Sequence, residues 1–182
     1  MIIGICGAAQ AGKDTVALYL TQQHGFVRRS FAEPLKALCR HILASHPPPV
    51  VSRPSGRTIG PEDIDDKTPF GRWLLQVVGT DIVRMIKPDH WVEELGLHRL
   101  HAERIVVPDV RFDNEVRAIR AEGGWLWCVE RTDLAEESSV ARHASEQEWR
   151  TNRFDRVLRA KTGEIHRLHE QAEQEFQAIR SR

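Results

Sequence analysis

Cysteine is scarce in this 182-residue sequence, and Cys6, Cys39 and Cys128 are the whole supply. Their odd number and wide scatter exclude a disulfide framework or a C-x-x-C zinc site and fit a reducing cytosol. An excess of charge of either sign is also missing. Lys+Arg and Asp+Glu both total 26, so the formal net charge is zero and no global field draws in nucleic acid. No dense basic stretch with interleaved aromatics marks a nucleic-acid module either. Long apolar runs are absent, which leaves nothing to span a bilayer. The opening MIIGIC is apolar but lacks a basic leader and runs straight into glycines, so it reads as a first strand rather than a secretory signal. Among nine histidines there is no H-E-x-x-H. The pairs His98/His101 and His166/His169 read as exposed helix positions, not as metal ligands. What remains is 41% hydrophobic and 29% charged, the balance of an ordinary globular chain with room for one sizeable core.

Apolar periodicity organises the rest. Ile2 to Cys6 is a continuous apolar run, as a buried parallel strand requires. Lys13 to His24 carries Val16 and Leu20 at helical spacing, with Gly25 as a stop. Phe26 to Phe31 reads as a second strand. Pro34 suits the first turn of a helix striped by Leu35, Leu38, Cys39 and Ile42. The segment 46–69 holds PPP, further prolines and glycines and the acidic run EDIDD, and reads as a long loop or mobile insert. Phe70 to Met85 is helical in period, and 89–102 reads as one more helix. A β-branched strand "IVVPDVRF" follows, then a helix over 114–122, a strand "WLWCVE", a polar loop 132–150, a strand 154–158 and a final helix from Gly163. This alternation predicts an α/β fold, a parallel sheet of about five strands covered by helices on both faces.

The chemistry concentrates in "GAAQAGKDT", positions 7 to 15. Gly7 and Gly12 frame four residues and Lys13 follows, the spacing G-x-x-x-x-G-K between a strand and a helix. That spacing wraps backbone N–H groups of Ala9, Gln10, Ala11 and their neighbours around a phosphate. The helix N-terminus adds partial positive charge, and Lys13 bridges the β- and γ-phosphates. Asp14 stands where the general motif has a serine or threonine. It reads either as a hard oxygen ligand for Mg²⁺ or as a first-turn acid that merely favours the helix dipole. Thr15 retains a hydroxyl for the α-phosphate. Asp109 ends the run "IVVPD". It reads as a second magnesium ligand at the carboxyl edge of the sheet, or else as a turn cap. Arg111, two residues on, is placed to touch a phosphate.

Taken in order, "GICGAAQAGKDTVA", "SFAEPLK", "RWLLQVVGTDIVR", "PDHWV", "IVVPDVRFDNEVRAIRAEGG" and "HASE" resemble the deoxynucleoside monophosphate kinases of tailed phages and some bacterial genomes. The resemblance covers nearly the whole length, and in that family the loop typically reads GKDT. It implies a P-loop nucleoside monophosphate kinase fold over 1–182, ATP and Mg²⁺ as cofactors, and a deoxynucleoside monophosphate as substrate. It further implies an acceptor-binding helical region 33–103 containing the loop 46–69, a lid over 131–150, and a cytoplasmic enzyme (in the host, for a phage-encoded chain). A homodimer is compatible with the family. Phe31 and the helix after it would line the acceptor pocket. Arg72, Gln76, Thr80 and Arg84 recur every four residues, which would offer arginines to the acceptor phosphate and a glutamine to the base edge. A solvated helix face explains the same row. Arg131 and Arg142 would be the lid arginines, and His143 and Glu146 match the family's H-x-x-E without an assigned role. Two other readings stay open on the residues alone: a P-loop kinase for a dephospho-coenzyme A or shikimate-like hydroxyl, and a nucleotide-regulated ATPase.

Overall fold

A computed structural model describes residues 1–45, 59–66, 68–100, 103–133 and 152–181. The chain forms two compact units, one of Met1–Ser30 with Gly96–Arg182 and the other of Phe31–Leu95.

The first unit holds the sheet. Its strands are β1 (Ile2–Cys6), β2 (Val27–Arg28), β3 (Ile105–Val107), β4 (Trp125–Arg131) and β5 (Arg156–Ala160). They lie in the order β2-β3-β1-β4-β5, and every pairing is parallel. Because β1 is central, both of its faces are covered, which is why its five residues are apolar or small throughout. Ile3 and Ile5 pack with Trp127 and Val129 against Val16, Ala17 and Leu20 of α1 (Lys13–His24) and Leu168, Ala172 and Phe176 of α7 (Ile165–Arg180). On the other face Val116 and Ile119 of α6 (Asp113–Ala121) are buried. Gly25 ends α1 in the left-handed conformation, as its position after the apolar stripe predicts.

All three cysteines are buried, and none is in a disulfide. Cys6 and Cys128 are register partners on β1 and β4, and burial, the largest cause, pushes the Cys6 thiol far up. Such thiols are inert packing groups.

The second unit packs α2 (Glu33–Ser45), α3 (Glu62–Asp65), α4 (Pro69–Gln76), a π-helical stretch Val77–Arg84 and α5 (His90–Leu95). Its core is Leu35, Cys39, Leu43, Ile64 and Trp91. The buried stripe of α2 therefore runs through Leu43, while Leu38 and Ile42, expected inside, are exposed.

Several sequence expectations need correction. The second strand has two residues, not six, and β5 begins two residues later than expected. The expected helix 89–102 divides at Gly96, whose φ of 57° starts a separate 3₁₀ turn Leu97–Arg99. Residues 46–58 and 67 lie outside the described residues, and the rest of the expected loop is built. Asp63 is fully buried and accepts from Gly60 N (2.9 Å) and Thr68 Oγ1 (2.7 Å). Thr68 in turn caps α4 by accepting from Gly71 N. These bonds close the segment on itself, so the acidic run is only partly a solvated face.

The helix expected over 70–85 widens from α to π at Val77. Gly79 sits in the widened part, its missing side chain admitting Leu35 of α2. The Trp91 indole donates to the Gly79 carbonyl at 3.0 Å. A side chain bound to a helical carbonyl is a recognised cause of such local winding changes. A four-residue step overshoots an α turn and falls short of a π turn. The four-residue recurrence of Arg72, Gln76, Thr80 and Arg84 accordingly does not keep one constant relation to the helix turns.

Candidate active site

In a parallel sheet every strand delivers its following loop to the same edge. Here that edge receives the glycine loop after β1, Arg29-Ser30 after β2, Pro108 to Arg111 after β3, Thr132-Asp133 after β4 and Lys161 to Gly163 after β5. The sequence could place each loop beside its own strand. The topology brings them together.

The glycine loop is shaped by backbone conformations that a side chain would oppose. Gly7 has φ 143° and Gly12 φ 105°. A Cβ at Gly7 would run into the Val129 carbonyl of the neighbouring strand. Gln10, at φ 60°, is the one non-glycine residue with positive φ among the described residues, a conformation that concentrates where function over-determines the backbone. Gly12 is the N-cap of α1 and supplies no side-chain cap, leaving the first-turn N–H groups to a ligand or solvent. Lys13 folds back across the loop, its ammonium donating to Gly7 O at 2.8 Å and Ala8 O at 2.6 Å. Ala11 is buried, whereas Ala9 and Gln10 are exposed and Thr15 is half-buried.

Three residues that the sequence did not single out organise the loops at this edge. Arg28 on β2 donates to Asp14, pairing the two side chains. Ser30 donates its hydroxyl to Asp109 Oδ2 at 2.7 Å, tying the loop after β2 to the one after β3. Asp109 stands in the turn beyond Val107, not on the strand itself. The third is Glu115, 2% exposed, which accepts from Arg111 N (2.7 Å) and Phe112 N (3.2 Å). A glutamate three residues after an N-cap is a known sequence signal, and "FDNE" carries it. Phe112 is the N-cap, and Asp113 and Asn114 fall inside the first turn.

Glu115 thus fixes the backbone at Arg111 and Phe112. Glu115→Ala is expected to lower stability by about 2 kcal/mol, because it strands backbone donors in a half-buried turn. Glu115→Gln keeps an acceptor and should lose clearly less. Urea unfolding of both variants checks this, and equal losses would show that the carboxylate charge, not the presence of an accepting oxygen, carries the effect.

The Arg111 side chain is exposed. Arg131 ends β4, and the Asp133 carboxyl just beyond it is held below the usual carboxylate range, chiefly by hydrogen bonds from Thr162 and secondarily by Arg131. Arg142, with His143 and Glu146, lies outside the described residues, as does nearly all of the expected lid. Phe31, Arg72, Gln76 and Arg84 belong to the second unit. Phe31 is buried, Arg72 is exposed, and Arg84 donates to Pro88 O at 3.3 Å.

No group of three or more His, Cys, Asp or Glu able to hold a metal occurs among the described residues. Asp14 and Asp109 are hard oxygen donors of the kind that Mg²⁺ takes, one or two carboxylates together with substrate phosphates and water rather than an all-protein cage. Asp109 stands in the turn after β3, hydrogen-bonded to Ser30. Asp14 is engaged by Arg28.

The family model for deoxynucleotide monophosphate kinase matches residues 62–171. The chain belongs to that family. This makes the protein a kinase, an enzyme of phosphoryl transfer. An Acanthamoeba polyphaga mimivirus protein named "Putative deoxynucleotide monophosphate kinase" is 32% identical over 181 residues, covering 87% of each chain. Among solved structures, a dephospho-CoA kinase from Campylobacter jejuni superposes with a TM-score of 0.50 at 10% identity, over 98% of the kinase described here and 96% of its own chain. TT1252 from Thermus thermophilus gives 0.50 at 20% identity, over 98% and 97%. At such identities the likeness establishes the P-loop kinase fold and nothing about the acceptor. No described helix of the kinase is long and apolar enough to cross a membrane.

Proposed function

We propose that this kinase moves the γ-phosphoryl group of ATP to a deoxynucleoside 5′-monophosphate, giving ADP and a deoxynucleoside diphosphate for DNA precursor synthesis. The observation that carries the reading is the loop after β1: in a chain of this family, an uncapped helix N-terminus, left-handed Gly7 and Gly12 and the Lys13 ammonium form one anion receptor.

The acceptor phosphate is already an ionised oxygen nucleophile, so the reaction needs positioning and charge stabilisation rather than a general base. A new P–O bond forms to that oxygen, the bond from the γ-phosphorus to its bridging oxygen breaks, and the electron pair leaves on ADP. Backbone N–H groups from Ala9 to Thr15 hold the polyphosphate, and Lys13 meets the charge on the γ-phosphate. Asp109 would hold Mg²⁺, which when bound would neutralise part of the charge of the polyphosphate. Arg111, with Arg131 and Arg142, would spread the charge that develops on the transferring group. In the second unit Phe31, Arg72 and Arg84 would receive the acceptor, with Gln76 at the base edge.

The test is ADP formation from Mg·ATP against the common deoxynucleoside monophosphates, their ribo forms, dephospho-coenzyme A and shikimate, with a no-acceptor control. Turnover with one or more deoxynucleoside monophosphates is expected. Turnover confined to a hydroxyl acceptor, or independent of any acceptor, would replace this reading by another kinase or an ATPase.

A further inference from the structure

The loop contains a charge problem that its own residues do not solve. Of the positions from Gly7 to Thr15 only Lys13 and Asp14 are charged, and they cancel. A polyphosphate receptor with no net charge is a weak one, since affinity for phosphate groups rests largely on positive charge brought close. An aspartate in the first turn of α1 is also a competitor. The same helix N-terminus that attracts phosphate attracts a carboxylate.

Arg28 answers both points. It is the last residue of β2, the edge strand, held in register against Val106 of β3. Its guanidinium donates to Asp14 Oδ1, and it is the only ion-pair partner of Asp14 among the described residues. The two side chains are 53% and 66% exposed, so the pair contributes little to stability. A contact with little structural value, placed beside the receptor, is better accounted for by charge balance.

We propose that Arg28 is a nucleotide-affinity residue that works through Asp14. It returns the loop and its surroundings to net positive charge and turns the Asp14 carboxylate toward the edge strand, away from the N–H groups that receive phosphate. Arg28 is thus a positioning residue, not a catalytic one. The inference rests on the loop being the nucleotide site.

The experiment measures ATP binding to the full chain by calorimetry, in chelator and without metal, at low and at raised ionic strength. Arg28→Ala is expected to weaken binding about tenfold at low salt, and the effect should shrink as salt screens it. Arg28→Lys should keep most of the affinity. Asp14→Asn should bind as well as the unaltered chain or better. The double variant Arg28→Ala/Asp14→Asn should return to within about twofold, because the charge that needed balancing is gone.

Two results overturn the proposal while leaving the loop assignment standing: Arg28→Ala binding ATP like the unaltered chain, or a loss that Asp14→Asn does not recover. The latter would mean that Arg28 touches nucleotide or supports the fold directly. Lys13→Ala serves as the control. If Lys13→Ala binds ATP as tightly as the unaltered chain, or the unaltered chain binds none, the loop assignment falls and takes this inference with it. Circular dichroism of each variant separates a binding loss from unfolding.

Discussion

Lys13→Ala is expected to cut turnover with Mg·ATP by roughly a thousandfold, the scale seen when one preorganised charge-stabilising donor is removed from an active site. Its structural cost should be small. Lys13 contributes no volume to the core, and its bonds are to the carbonyls of Gly7 and Ala8 in a loop that is only partly buried. Water can replace a surface donor to those carbonyls, so the unfolding midpoint should move by no more than about 0.5 kcal/mol equivalent. Steady-state kinetics and circular dichroism on the same preparation check both halves. Near-normal turnover with a normal spectrum would remove the loop from the mechanism altogether.

Asp109→Asn should have the second-largest effect, a fall of roughly a hundredfold with a raised requirement for free Mg²⁺. The substitution suits the question because asparagine is nearly isosteric and retains an oxygen to accept the Ser30 hydroxyl, now 2.7 Å from the carboxylate. The geometry can survive while the charge disappears. Turnover titrated against free Mg²⁺ at fixed ATP reads the difference. A lower plateau with an unchanged Mg²⁺ midpoint would reassign Asp109 to holding the turn after β3.

How far these sites were legible in the sequence follows from the range of the interactions involved. The glycine loop was legible because its shape is a rule about contiguous residues: two glycines, a lysine, a strand before and a helix after. The sheet was legible for a similar reason, since a strand buried on both faces announces itself as an apolar run. Arg28–Asp14 and Ser30–Asp109 were not, because each joins residues that only the strand order brings together. The buried acids Asp63 and Glu115 look like surface charges by composition. Only their bonds to backbone N–H and hydroxyl groups explain why they lie inside. The π-helical stretch was hidden too. Its residues have an ordinary helical pattern, and the Trp91 indole bound to Gly79 lies twelve residues further along the chain. β2 shows the converse failure: six residues with strand-like composition yield two that pair, because pairing needs a neighbour as well as a propensity.

The burial of Cys6, Cys39 and Cys128 has a practical side. These are all the cysteines of the chain, and thiol reagents attack exposed thiolates. The natural sequence is therefore already a silent background for covalent probes. One cysteine introduced at an exposed helix position such as Arg117 would take up a maleimide dye alone. Each half of the molecule can then be given its own fluorophore without first rebuilding the core around missing sulfurs.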